Sequence, residues 1–450
     1  MIGVPKKNVD TTDSQKSVMT FLWVYLSVGA LALILIYIAA EYFQTARLAQ
    51  FISFQANDGP GPLRKNLYPN TFGSHFFGDF LIPFRLAQQS SPYFAPGILP
   101  FSYFPLASVI LGPFVLFNYW QALTLFLATS LFGFVYVCKR GLNHLDPKTR
   151  RTITALVLLS GPMFSTLDRG NLSLVLVLLC LAGVLYLRQE KTYLSAILFG
   201  FAGAIKGYPI LFLIVFIKRR EWRQFAVGSL TFLAAVFLPL AFYDRGLFVN
   251  ATEMLSQFAG SSTPIHAVKI RGYNSSLLAF FDTCRTSFGS HFSSLFSFLV
   301  DNYTMVGAIL MLIFLIFATS KCATNFESLL LITVSMCLLP QTVGFYVLLL
   351  YFVPMLFHWA DAKNVTSSEK TITAAIAILM VPKGLPLWQP FGYWSPAAAT
   401  FTSFLNPLLG LTIAFICIIR IVHRRLQSFT RINQPGDSQL DGRHTIHTSS

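Results

Sequence analysis

The sequence predicts an all-α polytopic membrane protein. Of its 450 residues, 54% are hydrophobic and only 11% are charged, and the mean hydropathy is +0.60. Apolar runs of about 20 residues, long enough for a helix to cross a bilayer, recur along most of the chain. The charged residues gather between these runs, which is typical of membrane spans joined by loops.

The apolar runs predict about 10 full spans, and 10–12 membrane segments once interrupted runs are included. The first run, residues 21–42, is too long for the apolar part of a cleavable signal and has no convincing small-residue cleavage site. We therefore expect it to stay in the chain as a signal anchor. The predicted spans lie near residues 19–41, 116–138, 152–167, 171–187, 224–242, 303–319, 327–340, 342–359, 371–387 and 397–420.

Two regions do not fit a continuous helix. Residues 98–115 contain too many prolines, and we expect a re-entrant or interfacial segment there. In residues 193–217, Lys206-Gly207-Tyr208-Pro209 interrupts an apolar run, which predicts a pair of half-helices.

The distribution of basic residues predicts the orientation. With the N-terminus inside, most lysines and arginines lie on cytoplasmic segments, as the positive-inside rule requires. This gives a cytoplasmic N-terminus at 1–18, a membrane domain at 19–425 with large external loops at 42–104 and 243–302, and a disordered cytoplasmic tail at 426–450. The net charge of +15 is then mainly membrane-surface charge, and no nucleic-acid partner is expected.

Under this topology, polar residues from distant parts of the chain converge on the external face. Asp79 is a single carboxylate among aromatic residues, and it could be a helix cap or an ion-pair partner of Arg85. Loss of hydration in such a setting tends to raise a carboxyl pKa, so Asp79 could also act as a general base. Lys206 is costly inside an apolar run, which favours a functional role over snorkelling.

Other kinds of site have little support. The histidines show no metal-binding spacing, no external acidic pair suggests a divalent cation, and the six cysteines indicate no disulfide framework. No phosphate-binding glycine loop or dinucleotide fingerprint is present. We expect neither a metal nor a cofactor.

An ordered series of weak motifs resembles glycosyltransferase family 87, whose members belong to the C-type glycosyltransferase superfamily. The last two motifs of the series are Gly272-Tyr273-Asn274-Ser275-Ser276-Leu277 and Leu339-Pro340-Gln341. The sequence departs from the family pattern at Phe104, Ser275 and Gln341. The earlier motifs are Gly78-Asp79, Ser91-Pro92-Tyr93, Tyr103-Phe104-Pro105-Leu106, Asp168-Arg169-Gly170-Asn171-Leu172-Ser173 and GFAGAIKGYP at 200–209.

The resemblance implies a C-type glycosyltransferase-like fold and an inverting sugar transfer from a polyprenyl phosphate. It implies that Asp79 is the catalytic base, which deprotonates the acceptor hydroxyl. Lys206, Arg85, Lys269 and Arg271 are then candidates for binding the donor phosphate. The candidates for binding substrate are Tyr93, Tyr103, Asp168, Asn171, Asn274 and Gln341.

Several alternatives stay open at this point. Mannose is the expected sugar and arabinofuranose the alternative, and the acceptor is a glycolipid or another glycan. A bacterial plasma membrane is the expected location, with the site on its external face. A transporter or lipid flippase is the competing function, because broken helices and intramembrane charge also occur there. A lipid-binding scaffold is a third reading, and it would have no need of Asp79.

Overall fold

The computed structural model describes residues 11–43, 78–94, 103–261, 274–287, 289–361, 365–381 and 400–432. These ranges are largely helical and contain no β-strand, although an isolated antiparallel bridge joins Asn274 to Gly344. The α-helices are α1 Thr11–Phe43, α2 Gly78–Ala87, α3 Leu106–Leu111, α4 Tyr119–Gly141, α5 Pro147–Leu158, α6 Gly161–Arg169, α7 Ser173–Arg188, α8 Thr192–Lys206, α9 Ile214–Lys218, α10 Trp222–Phe237, α11 Gly246–Ser261, α12 Leu277–Ser287, α13 Gly289–Asp301, α14 Tyr303–Thr319, α15 Asn325–Leu338, α16 Phe352–Asp361, α17 Ser367–Met380 and α18 Phe401–Ile432.

Short 3₁₀ helices connect or extend several of these helices. The predicted break inside 193–217 is confirmed: α8 ends at Lys206, a 3₁₀ helix follows, and α9 begins at Ile214. The 3₁₀ helices are Pro92–Phe94, Gly112–Leu116, Tyr208–Leu213, Pro239–Phe242 and Phe345–Tyr351.

Within the described ranges, three helical segments are long and apolar enough to cross a membrane. They are Tyr119–Gly141, Trp222–Phe242 and Phe401–Ser428, and a fourth exists if the bent pair Ser293–Asp301 and Tyr303–Ala318 forms one span. Shorter apolar helices of 10–17 residues account for several other predicted spans. The chain is therefore a polytopic helical membrane protein, while the count of about 10 full spans stays a prediction.

The structure differs from the sequence prediction in three places. Residues 152–167 do not form one span, because α5 ends at Leu158 and a new helix, α6, starts at Gly161 with Pro162 in its first turn. The described parts of the predicted external loop 243–302 are largely helical, as α11, α12 and α13. Helix α18 continues to Ile432, past the predicted start of the disordered tail at 426, and the rest of that tail lies outside the described residues.

The core around α7, α8 and α10 depends on close helix approach at small residues. A Cβ at Gly183 of α7 would lie 2.6 Å from Cε1 of Phe199 in α8. A Cβ at Gly200 of α8 would lie 2.5 Å from the carbonyl oxygen of Gly228 in α10. Small residues at such crossings are typical of membrane helix pairs, where packing rather than apolar burial drives association.

Polar groups collect at two opposite ends of this helix bundle. Helix α7 has 16 residues, so its ends lie about 24 Å apart. The first residue of α7, Ser173, contacts Lys206, the last residue of α8; we call this the site end. The other end holds ion pairs among Glu327, Glu369, Arg420 and Arg424, and we call it the network end.

Candidate active site

The site end is built on the turn between α6 and α7. The Ser160 hydroxyl accepts a hydrogen bond from the backbone N–H of Met163 at 3.3 Å and caps the start of α6. Gly170, at φ 61° and ψ 35°, ends α6 in the left-handed region, where glycine is favoured. The Asn171 Oδ1 then accepts a hydrogen bond from the Ser173 N–H at 2.8 Å, which starts α7. This local chemistry places Arg169 and Asn171 side by side at the turn.

Asp79 reaches the same turn from α2. The neighbouring rings Phe80 and Phe84 are buried and fix the helix. Phe80 lies 5.2 Å from Phe126 of α4, and both Phe80 and Phe84 lie 5.8 Å from Tyr119, measured between ring centroids. The aromatic surroundings of Asp79 thus anchor α2 against α4, which leaves the carboxyl group to face α6.

The Asp79 carboxylate is held by three hydrogen bonds from the turn. Arg169 donates from Nε to Oδ2 at 2.6 Å and from Nη2 to Oδ1 at 2.9 Å, which is a two-point ion pair. Asn171 Nδ2 donates to Oδ2 at 2.6 Å. The side chains of Asp79 and Arg169 keep 18% and 30% of their surface exposed. The pair is thus accessible to a ligand although it lies in a largely buried cluster.

The sequence-based expectation about the Asp79 pKa was wrong. Burial alone would raise the pKa of the Asp79 carboxyl, but the opposing charge and hydrogen bonds of Arg169, with help from Lys206 and Asn171, hold it below its usual value. Arg169, and not Arg85, is the ion-pair partner. Asp79 is therefore ionised at neutral pH, as a base must be, but in this state it is neutralised by a cation.

Lys206 lies on the other side of Asn171. Its Nζ donates to Asn171 Oδ1 at 3.1 Å and to Ser173 Oγ at 3.2 Å. The ammonium also lies 4.6 Å from the ring centroid of Tyr103 and 4.7 Å from that of Tyr346, a cation between two aromatic faces. Gly207, at φ +79°, ends α8 directly after it, so the helix break predicted from the sequence is what delivers this lysine to the site.

Tyr93 and Tyr103 support the site from behind. The Tyr103 hydroxyl donates to Asn171 Oδ1 at 3.2 Å, and the Tyr93 hydroxyl donates to the Tyr103 carbonyl oxygen at 3.2 Å. Both rings are buried. Substrate binding by these two residues stays a prediction, and the geometry gives them a supporting position, because Tyr103 holds Asn171 and Tyr93 holds Tyr103.

Asn274 likewise positions a loop. Its side chain is buried and donates to the Gln341 carbonyl oxygen at 2.8 Å, while its Oδ1 accepts from the backbone N–H groups of Ser276 and Val343. These bonds fix the segment that leads to Tyr346, whose ring faces Lys206. The structure thus gives Asn274 a supporting role in place of the predicted contact with substrate.

The remaining predicted residues are not joined to this cluster by the described contacts. Gln341 donates from Nε2 to Thr304 Oγ1 at 3.3 Å. Arg85 lies in α2 without an ion pair to Asp79. Asp168 lies in α6, and its side chain is outside the described part of the chain. Lys269 and Arg271 also lie outside the described residues.

Sequence reasoning missed Arg169, Ser173 and Tyr346 as members of the site. The available signal for Arg169 was its position at a turn that the predicted topology places outside, against the positive-inside tendency. In the ranges that the structure describes, no group of three or more His, Cys, Asp or Glu residues could hold a metal ion. The cluster instead joins one carboxylate to Arg169 directly and to Lys206 through Asn171, an arrangement suited to accepting a proton beside an anionic group.

Much of this site lies in a region that is similar to known proteins. A sequence model described as glycosyltransferase family 87 matches residues 101–382, which include Arg169, Asn171, Lys206 and Tyr346 but not Asp79. The chain is also similar to two proteins named polyprenol-phosphate-mannose-dependent alpha-(1-2)-phosphatidylinositol pentamannoside mannosyltransferase. It is 33% identical over 146 residues to the Mycolicibacterium smegmatis protein, covering 31% of this chain and 34% of that one.

The second relative is the Mycobacterium tuberculosis protein, 28% identical over 176 residues, covering 37% of this chain and 39% of that one. The chain therefore matches less than half the length of each relative. The family match is longer, because it covers more than half of the 450 residues. The chain belongs to glycosyltransferase family 87.

Proposed function

We propose that this protein is a membrane mannosyltransferase that moves mannose from polyprenyl-phosphate-mannose to a glycolipid, with inversion at the sugar. The observation that carries the proposal is the cluster in which Arg169 pairs with Asp79 and Asn171 links Asp79 to Lys206. A base and two cations are what this transfer needs, because a proton leaves the acceptor while negative charge grows on the phosphate.

The reaction balances as follows. The acceptor hydroxyl oxygen attacks the anomeric carbon of the donor and forms the new glycosidic bond. The bond from that carbon to the phosphate oxygen breaks, and its electron pair leaves with the phosphate. The hydroxyl proton passes to the Asp79 carboxylate. A phosphodiester with one negative charge thus becomes a polyprenyl phosphate with two, while Asp79 becomes neutral and later releases its proton to water.

Lys206 binds the donor phosphate in this proposal. Its ammonium is held at a fixed place by Asn171, Ser173 and the two tyrosine rings, so it needs little reorganisation when charge develops. Since the phosphate leaves as an anion, no general acid is required. Arg85, Lys269 and Arg271 stay candidates for further phosphate contacts.

The two relatives suggest the substrates. Their names specify a polyprenol-phosphate-mannose donor and a phosphatidylinositol pentamannoside acceptor. We infer the same donor and a related phosphatidylinositol mannoside acceptor for this chain. We place the reaction on the external face of a bacterial plasma membrane, because the basic residues Arg188, Lys218, Arg420 and Arg424 towards the network end then face the cytoplasm as the positive-inside rule requires.

The test is sugar transfer by purified full-length protein in lipid nanodiscs. Radiolabelled polyprenyl-phosphate-mannose and polyprenyl-phosphate-arabinose are offered separately with phosphatidylinositol mannosides, and the labelled products are separated by chromatography. We expect mannose transfer by the wild type and a loss of about 10²–10⁴-fold in kcat for Asp79→Asn. The control is Asp146→Asn, because asparagine caps a helix about as well as aspartate and this carboxylate caps α5.

Each other outcome has a distinct meaning. Equal transfer by Asp79→Asn and wild type would remove Asp79 as the base. Transfer of arabinose alone would correct the sugar. Absence of transfer from either donor, together with lipid or sugar movement across proteoliposomes, would replace the enzyme with a transporter or flippase.

A further inference from the structure

We propose that Arg169 exchanges partners during the reaction, from the Asp79 carboxylate in the free enzyme to the phosphate of the bound donor. The exchange uncovers the base only when a donor is present. This inference rests on the proposed function. It gives Arg169 a part in the reaction that its local sequence does not indicate.

The two oxygens of Asp79 are held differently: Oδ1 accepts from Arg169 Nη2, whereas Oδ2 accepts from both Arg169 Nε and Asn171 Nδ2. If the guanidinium leaves, Asn171 still holds Oδ2 and keeps the carboxylate in place. Oδ1 then becomes free to receive the acceptor proton. In the described contacts, the bond from Asn171 thus orients the carboxylate, whereas the bonds from Arg169 mask it.

Arg169 has the shape and the exposure that binding of a phosphate requires. A guanidinium presents a planar fork of N–H groups that fits a carboxylate and a phosphate equally well. Arg169 keeps 30% of its side chain exposed, so an incoming phosphate can reach it. Lys206 is already bonded to Asn171 and Ser173 and lies between two rings. Arg169 is therefore the cation that can move, while Lys206 is the fixed one.

The charges of the phosphate and of the Asp79 carboxylate change in opposite directions along the reaction. During transfer the phosphate goes from one negative charge to two, while the Asp79 carboxylate gains a proton and becomes neutral. The electrostatic preference of Arg169 therefore shifts from carboxylate to phosphate along the reaction. A single cation can serve both partners in turn, and an empty site keeps its base neutralised by an ion pair.

The experiment measures binding of a polyprenyl phosphate without sugar to the full chain in nanodiscs, by titration calorimetry. Four proteins form a cycle: wild type, Asp79→Asn, Arg169→Gln and the double variant. We expect Asp79→Asn to tighten binding about tenfold, because Arg169 no longer has a competing carboxylate. In the Arg169→Gln background the same change should alter the Kd by less than about twofold. Arg169→Lys replaces Arg169→Gln if the latter does not fold, and it should reduce the coupling because lysine lacks the fork.

Two results would overturn the exchange. Equal tightening in both backgrounds would show that the carboxylate acts only by repelling the phosphate at a distance. Weaker binding by Asp79→Asn would show that the pair must stay intact to bind the donor. The proposed function fails in a different way: wild type would then neither bind polyprenyl phosphate nor transfer mannose, whereas failure of the exchange alone leaves mannose transfer by wild type in place.

Discussion

At the scale of the residue, the proposed role of Asp79 as the base ties the pH dependence of transfer to the ionisation of its carboxyl group. Arg169 and Asn171 lower its pKa, and Lys206 adds a positive charge nearby, while the Tyr103 and Tyr346 rings that face the cluster stay neutral at moderate pH. A carboxyl group with a lowered pKa is charged above that pKa, and it takes up a proton only when the pH falls below it. Protonation of this carboxyl group is therefore not expected to reduce activity near neutral pH.

The prediction concerns kcat/KM, which reports the free enzyme. Plotted against pH, it should show no acid limb from Asp79 above about pH 4, the ordinary value of an aspartate. Mannose transfer at subsaturating donor, measured from pH 4 to 8, checks this. An acid limb near pH 6 that moves to a different pH in an active Asp79→Glu variant would contradict the ion-paired state.

A second residue-scale prediction concerns Lys206. Changing it to methionine removes the ammonium but keeps a long apolar side chain between the Tyr103 and Tyr346 rings. We expect kcat to fall about 10²–10³-fold, because a fixed cation at a developing charge contributes that much. The readout is mannose transfer at saturating donor.

The control for this variant is Lys191→Met. Lys191 also lies over a tyrosine ring, 5.7 Å from the centroid of Tyr186, but at the end of α7 remote from Asp79. It should keep its transfer rate within about twofold, since a single cation–π contact at an exposed place adds little. Similar losses in the two variants would mean that both act on folding.

The residues also show what the sequence can and cannot tell. Asp79 could be found because it is a single carboxylate in an apolar, aromatic stretch. Its pairing with Arg169 could not, because the two are separated by 90 positions and no local pattern records which distant cation will meet a carboxylate. The expectation of a raised Asp79 pKa was wrong for the same reason. The aromatic neighbours in the sequence indicate desolvation, but nothing in the sequence identifies Arg169 as the partner that lowers the pKa.

At the scale of the element, the break after α8 has a testable consequence. Gly207 has φ +79°, and a Cβ there would lie 3.1 Å from Cε2 of Phe104. Gly207→Ala should cost about 1–2 kcal/mol of stability from the left-handed backbone. It should also lower mannose transfer by about tenfold or more, because displacing Phe104 moves the adjoining Lys206. Thermal unfolding and transfer are measured on the same preparation.

Gly246→Ala is the matched control for that substitution. Gly246 has a similar φ of +73°, but nothing lies within 4 Å of its Cβ position. It should lose comparable stability and keep full transfer activity. If both variants lose activity equally, the effect belongs to backbone strain and not to the position of Lys206.

Helix breaks were predictable where proline and glycine interrupt an otherwise simple run. The break at Lys206 to Pro209 was found in this way. The break at Ser160-Gly161-Pro162 carries the same signal, but the apolar residues on both sides hid it within one predicted span. The helices in 243–302 were missed because a topology rule assigns a side of the membrane and not a secondary structure.

At the scale of the whole molecule, the network end holds helices together far from the site. Glu327 is fully buried at the start of α15 and pairs with Arg424 and, at 2.9 Å, with Arg420, both from α18. Arg420 also pairs with Glu369 of α17 at 2.8 Å. The ion pairs thus join the starts of two helices to the second half of a third.

Glu327→Gln tests whether this network contributes stability alone. Glutamine can keep the capping bonds that Glu327 makes with Thr324, so the change removes only the negative charge. Two partly exposed guanidinium groups then share one carboxylate fewer, and we expect a loss of about 2–3 kcal/mol in the free energy of unfolding, less than for a fully buried pair. Because none of the network residues contacts the Asp79 cluster in the described ion pairs and hydrogen bonds, kcat per folded molecule should not change.

Glu190→Gln provides the comparison, since Glu190 pairs with Arg219 at 2.5 Å but its side chain is 73% exposed. An exposed pair of this kind contributes about 0–1 kcal/mol, so this variant should unfold almost as the wild type does. Urea unfolding in detergent gives the stability of each variant, and mannose transfer corrected for the folded fraction gives kcat. A fall in kcat for Glu327→Gln without a loss of stability would mean that the network end is coupled to the Asp79 site. The two ends of the bundle would then act as one unit in the reaction, and the separation of a stabilising end from a chemical end would have to be abandoned.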